Sequence, residues 1–361
     1  MRILVLNGSP KGEKSNTMYI TNAFVQGMNS VCENEVEVVT LIDKDIKYCR
    51  GCFACFNNAE GKCAIQDDMA EIVESFKKAD VIIYSTPIHT FGVSAPLKTM
   101  MDRLLVLHKP EIDDRDDDGE IHVCRYNAEH QKSVLIATCG FYCYENNVEA
   151  VLEQFRIMRG EDYEKIICAE GTMFRVQIED INIRTKPYLE NAMKAGAEYA
   201  SNGAISEQTK EALTKRHFER KEYHLLANNY WRCGEEGLSP EEKRKNETKR
   251  FVHQMSAIYE PISGFEGDAV MEMIFGDSDY TAQLWFSSEG CKVVENKDEF
   301  KDYHILLKTN YSSMKKNAST GSQQLQHGTS GGATGRATSV QMIAEKAVLM
   351  KKRNIQRELR L

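Results

Sequence analysis

The sequence predicts an α/β protein built on a doubly wound parallel sheet of five strands, followed by a smaller α+β domain. Short apolar segments rich in β-branched residues alternate with amphipathic helical segments through residues 1–170. One of these segments, Asp80–Ser85, is mostly apolar, as expected for a strand that is covered on both faces. A polar helical stretch then separates this region from a second group of strand-like segments that begins after Phe251.

The elements of the first region follow each other in the βαβ order of an open parallel sheet. The predicted strands are Arg2–Leu6, Glu35–Thr40, Asp80–Ser85, Lys132–Thr138 and Lys165–Ala169. The predicted helices are Asn16–Val31, Asp67–Lys78, Ala95–Leu105 and Asn147–Arg159. An Asp-rich stretch, Pro110–Glu120, is predicted to be an exposed insertion before the fourth strand.

Changes of composition predict four parts of the chain. They are the sheet domain at 1–187, a helical connector at 188–250, a partial α+β domain at 251–316 and a low-complexity, disordered tail at 317–361. The connector is predicted to contain the helices Tyr188–Asn202 and Glu207–Ala227. The third part is predicted to form an antiparallel sheet after a helix at Phe251–Tyr259, with strands at Ala269–Phe275, Thr281–Phe286, Cys291–Val294 and Tyr303–Thr309.

Charge and hydropathy exclude several classes of function. The 361-residue chain has a net charge of −8, which argues against a non-specific nucleic-acid binder and against an anionic membrane surface. No apolar run approaches the roughly 18 residues of a membrane span, and the N-terminus lacks a signal-peptide pattern. We therefore expect a cytoplasmic protein whose 11 cysteines are thiols or metal ligands rather than disulfides.

Four cysteines stand close together between the second strand and the second helix. Cys49, Cys52, Cys55 and Cys63 fall within fifteen residues, so one short loop can wrap a soft metal centre. Thiolate sets of this kind bind an iron–sulfur cluster or a structural zinc. Reduced thiols without metal are the other interpretation of the pattern.

The turn after the first strand carries the features of a phosphate site. Asn7-Gly8-Ser9-Pro10-Lys11-Gly12 is followed by Ser15-Asn16-Thr17 at the start of a helix. Hydroxyls and backbone N–H groups at a helix N-terminus can surround a phosphate. The turn has neither the GxGxxG of a dinucleotide site nor the GKS or GKT of a triphosphate loop, which favours a single terminal phosphate. The alternative is an ordinary turn in which Ser15 or Asn16 caps the helix.

Two further strand ends are predicted to meet this turn. The segment Thr86–Gly92 contains a Pro, a Gly and the flat side chains His89 and Phe91. Thr138-Cys139-Gly140-Phe141 ends the next parallel strand. Because ligands bind at the carboxyl ends of parallel strands, the three segments together predict one crevice for a flat ring that carries a phosphate.

These motifs resemble those of the flavodoxin-fold NAD(P)H-dependent FMN reductases. The resemblance rests on LNGSPKGEKSNT, STPIHTFGVSAPLKTMMDR and ATCGF, and it covers roughly residues 1–190. Within that group, CRGCFACFNNAEGKCAIQDDM resembles the cysteine segment of the iron–sulfur flavoproteins. The family commonly has Tyr at the position of His89.

The resemblance assigns roles to individual residues. It implies that the FMN phosphate is held by Ser9, Lys11, Ser15, Asn16 and Thr17. It implies that the isoalloxazine is bordered on one side by Pro87, Ile88, His89, Thr90, Phe91 and Gly92, and on the other by Thr138, Cys139 and Gly140. It also implies a [4Fe–4S] cluster on Cys49, Cys52, Cys55 and Cys63.

The function that follows is an FMN-dependent oxidoreductase. Electrons from NAD(P)H or a redox protein would pass through FMN to a small-molecule acceptor or a ferredoxin-like partner, with the cluster as a second redox centre. The resemblance also implies a homo-oligomer. The alternative from another class is a non-catalytic flavin and cluster module for electron transfer or redox sensing.

The second domain resembles a different family. The segment from Met255 to Tyr311 resembles the first part of a sterol-carrier-protein-2-like domain. That resemblance implies an apolar tunnel for a lipid-like molecule, and the alternative is an interaction module without a ligand.

Overall fold

The computed structural model describes residues 1–58, 61–115, 117, 119–176, 179–231, 238–263, 265–314, 339–352 and 357–360. The chain divides into two compact units. The N-terminal unit comprises Met1–Arg175 and Thr185–Arg216, and the C-terminal unit comprises Val176–Arg184 and His217–Leu361. The boundaries predicted from composition, at residues 187, 250 and 316, stay predictions.

The N-terminal unit contains a six-stranded sheet and a two-stranded hairpin. Its strands are β1 (Arg2–Asn7), β2 (Glu35–Thr40), β3 (Val81–His89), β4 (Gly92–Val93), β5 (His108–Asp114), β6 (Glu120–Cys124), β7 (Lys132–Thr138) and β8 (Tyr163–Cys168). Its helices are α1 (Asn16–Val31), α2 (Met69–Lys78), α3 (Ala95–Arg103), α4 (Glu149–Arg159), α5 (Glu179–Asn202), whose first turns belong to the C-terminal unit, and α6 (Glu207–Ala212).

Five strands of the sheet are parallel and lie in the order β2-β1-β3-β7-β8. This is the flavodoxin-like order, in which the ligand crevice lies where the chain reverses direction between β1 and β3. The predicted fold class is therefore confirmed. Short apolar strands joined by helices produce this order because a parallel connection must cross one face of the sheet.

The two faces of the sheet are buried under separate layers of helices. Alternate residues of β1, such as Ile3 and Val5, pack with Phe24 of α1 and Ala192 of α5. The intervening residues of β1, Leu4 and Leu6, face the other side of the sheet. They belong to the core that includes Phe76 of α2, Leu97 of α3 and Phe155 of α4. The period of two along a strand thus assigns each side chain to one of two hydrophobic cores.

Two segments of the N-terminal unit differ from the sequence predictions by more than a shift of a few residues at an element's end. Strand β3 continues to His89 instead of ending at Ser85, because Thr86 and Pro87 still pair in parallel with Ala137 and Thr138 of β7. The Asp-rich stretch, predicted only as an exposed insertion, forms the β5–β6 hairpin. Its charged residues face solvent, so hydropathy alone gave no strand pattern there.

The C-terminal unit has a five-stranded sheet in the order β11-β10-β9-β12-β13. Its elements are α7 (Arg220–Trp231), α8 (Pro240–Ala257), β9 (Ala269–Phe275), β10 (Tyr280–Ser287), β11 (Gly290–Val294), β12 (Ile305–Thr309), α9 (Ser339–Lys352) and β13 (Arg357–Arg360). The predicted helix Glu207–Ala227 is in fact two helices, α6 and α7.

The sheet of the C-terminal unit is mixed, so the prediction of an antiparallel sheet is wrong in part. Strands β9, β10 and β11 are antiparallel neighbours, but β12 pairs with β9 in parallel, and β13 pairs with β12 in parallel. The chain crosses from one edge of the antiparallel group to its far edge before β12, and that crossover fixes the parallel pairing.

Part of the predicted tail is ordered in the structure. Residues 317–338 lie outside the described residues. After them, α9 packs against β9 and β10, and Ala344, Ala347 and Val348 are buried. Among the described residues, no helix combines the length and the hydropathy that crossing a membrane requires.

Candidate functional site

The turn between β1 and α1 is held by its own polar groups. The backbone N–H of Ser9 donates to Asn7 Oδ1 at 3.1 Å, and Gly12 N donates to Ser9 O at 3.0 Å. Ser15 caps α1, since its Oγ accepts from the backbone N–H of Thr17 at 3.1 Å. The capped helix N-terminus therefore lies at the carboxyl end of β1, as an anion site requires.

The predicted phosphate residues do not share one environment. Ser9, Ser15 and Thr17 are buried, whereas the side chain of Lys11 is exposed. Asn16 is half-buried, and its Oδ1 is a buried polar atom without a hydrogen-bond partner among the described residues. This oxygen is an acceptor, so a hydroxyl or N–H group of a ligand, and not a phosphate oxygen, can supply the missing hydrogen bond.

Gly8 lets this turn approach the start of α3 closely. A Cβ at Gly8 would lie 2.7 Å from Leu97 Cβ and 2.9 Å from Ser94 Oγ. Gly8 N also donates to Ser85 O of β3 at 2.8 Å, and Ser94 Oγ donates to Gly8 O. Only glycine leaves room for these contacts, which hold the turn after β1 against β3 and the start of α3.

The second segment forms a tight hairpin rather than an open loop. Ile88 pairs with Val93 and His89 with Gly92, which leaves Thr90 and Phe91 as the two turn residues. Both have positive φ, 49° and 61°. Non-glycine residues, and β-branched Thr in particular, rarely adopt this conformation, and such strain concentrates at functional sites.

A chain of hydroxyl groups connects the hairpin with its neighbours. Ser94 N donates to Thr86 Oγ1 at 3.1 Å, and Thr86 Oγ1 lies 3.3 Å from Ser94 Oγ. Thr21 Oγ1 on α1 and Ser85 Oγ on β3 are 2.8 Å apart. These buried contacts align α1, β3 and α3 beneath the crevice.

The third segment is joined directly to the first. Thr138 Oγ1, at the end of β7, lies 2.6 Å from Thr17 Oγ1 of α1, and both residues are buried. Cys139 is buried as well, and its N–H donates to Cys168 O at 2.7 Å. Gly140 is exposed at the surface of the crevice. The prediction that the first and third segments converge therefore has a direct hydrogen bond as its geometric basis.

Two aromatic rings form an exposed wall on this edge. The rings of Phe91 and Phe141 are stacked with an interplanar angle of 20° and centroids 6.2 Å apart, and about half of each side chain is exposed. His89 is exposed beside them. Large apolar rings held at the surface above a strained turn can cover one part of a flat ligand.

Sequence reasoning placed Thr86 and Phe141 in the predicted crevice segments without giving either a role, and it left Ser94 out of the site. Phe141 follows the motif Thr138-Cys139-Gly140 directly, so its position was the available signal. Ser94 precedes a Pro-containing helix start, a pattern that indicates an ordinary cap. Its contact with Gly8 links residues 86 positions apart and depends on the folded sheet.

The four predicted metal ligands differ in exposure. Cys49 and Cys52 are exposed, Cys55 is buried and Cys63 is half-buried. Burial raises the pKa of the Cys55 thiol, and the neighbouring thiols of Cys63, Cys49 and Cys52 raise it further. In the described part of the chain, no three Cys, His, Asp or Glu side chains converge tightly enough to hold one metal ion.

The loop that carries these cysteines is anchored by two arginines. Arg125 Nη2 donates to Cys55 O at 3.0 Å, and its Nε donates to His108 O at 2.8 Å. Arg103 Nη1 donates to Lys47 O and to Asp67 Oδ2, each at 2.7 Å. Both ends of the cysteine loop are thereby tied to elements of the N-terminal unit.

Arg103 and Asp67 form a fully buried ion pair. Their side chains are 1% and 0% exposed, and Arg103 Nη2 also donates to Asp67 Oδ1 at 3.0 Å. Burial by itself raises the pKa of Asp67, but hydrogen bonds from Arg103, Lys47 N and Met69 N outweigh it, so the net pKa is lowered. The Cys63 thiolate would also favour the Arg103 cation. A buried positive charge thus stands beside the thiol loop.

Comparisons with known proteins find sequences similar to the N-terminal part of this chain. Residues 1–140 match the sequence model of a family described as NADPH-dependent FMN reductase. An iron–sulfur flavoprotein of Methanocaldococcus jannaschii is 40% identical over 105 residues, which cover 28% of this chain and 51% of that protein. An iron–sulfur flavoprotein of Archaeoglobus fulgidus is 33% identical over 103 residues, or 28% of this chain and 48% of that protein.

A solved structure of an FMN-dependent NADH-azoreductase from Bacillus anthracis is 18% identical, with a TM-score of 0.41, over 56% of this chain and 99% of that one. This chain spans about half the length of the curated relatives it matches. The predicted resemblance to FMN reductases and iron–sulfur flavoproteins is confirmed for the N-terminal part of the chain. The sterol-carrier-protein-2-like resemblance of the C-terminal unit stays a prediction.

Proposed function

We propose that this chain is an FMN-dependent oxidoreductase that accepts electrons from NAD(P)H and passes them to a small acceptor. The observation that carries the proposal is the hydrogen bond between Thr17 and Thr138, 2.6 Å long, which joins a capped helix N-terminus to the end of β7. A phosphate at α1 and a flat ring beside β7 then belong to one ligand. FMN is such a ligand, and its family-level support comes from residues 1–140.

FMN, when bound, supplies a ring that takes up a hydride and gives up electrons singly or in pairs. The chain's own residues have three tasks. Ser9, Ser15 and the first-turn N–H groups of α1 hold the phosphate. The Thr90–Phe91 turn and the backbone from Thr138 to Gly140 orient the ring from two sides. Phe91 and Phe141 exclude water from part of the ring.

The donor and the acceptor approach from the open side of the crevice. Phe91, Phe141 and His89 are exposed there, so a flat nicotinamide or quinone can stack against this surface. Lys11 and Lys14 provide positive charge near the phosphate end. A cytoplasmic location and a homo-oligomer remain part of the proposal.

The cysteine loop is proposed to hold a [4Fe–4S] cluster on Cys49, Cys52, Cys55 and Cys63. Support comes from the electrostatic proximity of all four thiols around Cys55, and from curated relatives named iron–sulfur flavoproteins. The donor set is soft and fits iron, and zinc is the competing metal. The described geometry is looser than a closed metal site, so binding would draw the exposed Cys49 and Cys52 inward.

The flavin assignment is tested by Ser15→Asp. Aspartate is as good an N-cap as serine, so α1 keeps its cap while a carboxylate faces the phosphate. Two like charges about 4 Å apart repel by about 4 kcal/mol at an effective dielectric constant near 20. We expect FMN affinity, measured by flavin fluorescence quenching, to fall at least 100-fold, and affinity for riboflavin, which lacks the phosphate, to stay within a factor of a few.

The matched control for this variant is Ser239→Asp, which changes the cap of α8 in the same way, far from the flavin motifs in sequence. It should bind FMN as the unmodified protein does. If Ser15→Asp retains wild-type FMN affinity, the phosphate lies elsewhere.

A second experiment separates the enzyme from the non-catalytic module. Anaerobic addition of NADH or NADPH to the FMN-loaded protein should bleach the flavin absorbance, and a quinone should restore it. A module that only shuttles electrons would stay oxidised with both nucleotides and become reduced with dithionite. That outcome would favour the electron-transfer alternative.

A further inference from the structure

A cavity of about 920 Å³ opens in the N-terminal unit, and the proposed flavin site does not use it. It lies between the ends of α2, α3 and α4, the β5–β6 hairpin and the cysteine loop, whose Cys49 and Gly51 line it. None of its lining residues belongs to the three segments of the flavin crevice. Its volume is within the range of pockets that enclose a small organic ligand.

The wall of the cavity is mainly aliphatic. Met101 and Leu105 come from the end of α3 and the turn that follows it, Ile121 comes from β6, and Ile157 and Met158 come from α4. Such a wall favours an apolar ligand body, because each square ångström of apolar surface removed from water contributes about 25 cal/mol.

One cation in the wall has no counter-charge. Arg159, the last residue of α4, stacks against Phe76 and Tyr84 with its guanidinium carbon 5.6 and 5.5 Å from the ring centroids. Its Nη2 donates to the Tyr84 hydroxyl, and its Nε is buried without a hydrogen-bond partner. Among the described residues, no carboxylate lies within ion-pair distance of Arg159.

The other cations of the wall are neutralised. Lys98 pairs with Asp102 at 2.5 Å, and Arg115 pairs with Asp117 at 2.9 Å. The contrast matters because a buried charge without a partner costs several kcal/mol. Aromatic stacking and the C-terminus of α4 offset part of that cost for Arg159, but neither gives its Nε an acceptor.

Two histidines near Arg159 leave its charge uncompensated. Burial lowers the pKa of His108, and the nearby His122 and Arg159 contribute to the same shift. His122 lines the cavity too, and its Nδ1 is buried without a partner. The polar part of the wall therefore offers unused hydrogen-bonding groups and the Arg159 cation to whatever enters.

We propose that this cavity binds an amphipathic monocarboxylate, with its apolar body along the aliphatic wall and its carboxylate on Arg159. A carboxylate supplies both missing elements, a negative charge and acceptor oxygens for the guanidinium. The site lies outside the flavin crevice, so the inference does not depend on the proposed flavin assignment, although Cys49 of the cysteine loop lines the same cavity.

The mouth of the cavity suggests the competing occupant. Ile112, Ile121 and Ile157 are 63%, 41% and 44% exposed. A second copy of the chain could cover such residues. It would leave the guanidinium of Arg159 without a counter-charge unless an acidic side chain of the second copy, such as Glu120, entered the cavity.

The test compares a carboxylate with a neutral molecule of the same length. Calorimetric titration of the full-length protein with decanoate should show one site, and decanol should bind at least tenfold more weakly. In Arg159→Met, decanoate affinity should fall to that of decanol while decanol affinity stays unchanged. Arg156→Met, which removes an ion-paired arginine one turn earlier on α4, should leave the decanoate affinity within twofold.

A second variant guards against misfolding of the first. Ile157→Trp fills the mouth and keeps Arg159, so it should abolish binding of both molecules while its circular dichroism stays that of the unmodified protein. Decanoate binding that survives Ile157→Trp places the ligand elsewhere and overturns the proposal. Equal affinities for decanoate and decanol would also overturn it. The proposal fails as well if the protein binds neither molecule and instead forms a dimer that Ile112→Asp dissociates, because a second copy then covers the cavity.

Discussion

Replacing Arg103 by Met tests how the cysteine loop is held. The variant leaves the Asp67 carboxylate buried and without its cation, although Lys47 N and Met69 N still donate to it at 2.9 and 3.2 Å. At 2.7 Å and an effective dielectric constant near 20, the lost attraction is about 6 kcal/mol. Protonation of the orphaned carboxylate and relaxation of the loop reduce the net loss to about 3–5 kcal/mol.

Hydrogen exchange followed by mass spectrometry is the appropriate assay. Because the chain has two compact units, a global denaturation curve need not report this pair, whereas peptides from α2 and α3 do. The matched control is Lys98→Met on α3, which breaks the half-exposed pair with Asp102 and should cost less than about 1 kcal/mol.

The effect should depend on pH with a definite sign. The lowered pKa of Asp67 means that the pair stabilises the fold above the ordinary Asp pKa of about 3.9, and that this contribution is lost as pH falls through the lowered value. In Arg103→Met, burial raises the pKa of Asp67, so the variant recovers stability when the carboxylate is protonated. The difference between the two proteins should therefore be larger at pH 7 than at pH 4.

The double variant Arg103→Met/Asp67→Asn completes the experiment. It removes both charges and keeps an acceptor oxygen for Lys47 N and Met69 N, so it should be more stable than Arg103→Met alone. If Arg103→Met costs no more than Lys98→Met, or if its effect is the same at pH 4 and pH 7, the buried pair does not hold this loop.

Two further variants test the flavin turn and the cysteine loop. Gly8→Ala would place a Cβ 2.7 Å from Leu97 Cβ, so we expect a loss of about 1–3 kcal/mol in the local opening free energy that hydrogen exchange reports for peptides of β1 and α3, whereas Gly140→Ala, with 3.8 Å to its nearest neighbour, should change it far less. Cys52→Ser should abolish iron and acid-labile sulfide after anaerobic reconstitution while FMN stays bound; Cys32→Ser is the control, and iron-free unmodified protein would refute the cluster.

The fold of the N-terminal unit could be predicted because its signals are local. Mostly apolar runs such as Asp80–Ser85 are typical of central strands, and the amphipathic segments between them are typical of helices that cross the faces of a parallel sheet. The mixed sheet of the C-terminal unit could not be predicted, since the direction of β12 depends on which edge of the sheet its crossover reaches.

The same distinction between local and tertiary signals applies to the candidate site. The sequence by itself indicated a phosphate turn through its glycines and hydroxyl residues, because few residue types allow the backbone conformation of such a turn. It indicated a thiol loop through the cysteine spacing, because soft metals favour thiolate ligands. The sequence did not reveal the Thr17–Thr138 bond, the contact of Ser94 with Gly8 or the unpaired guanidinium of Arg159. Each of these depends on distances between residues far apart in the chain, and only tertiary packing sets such distances.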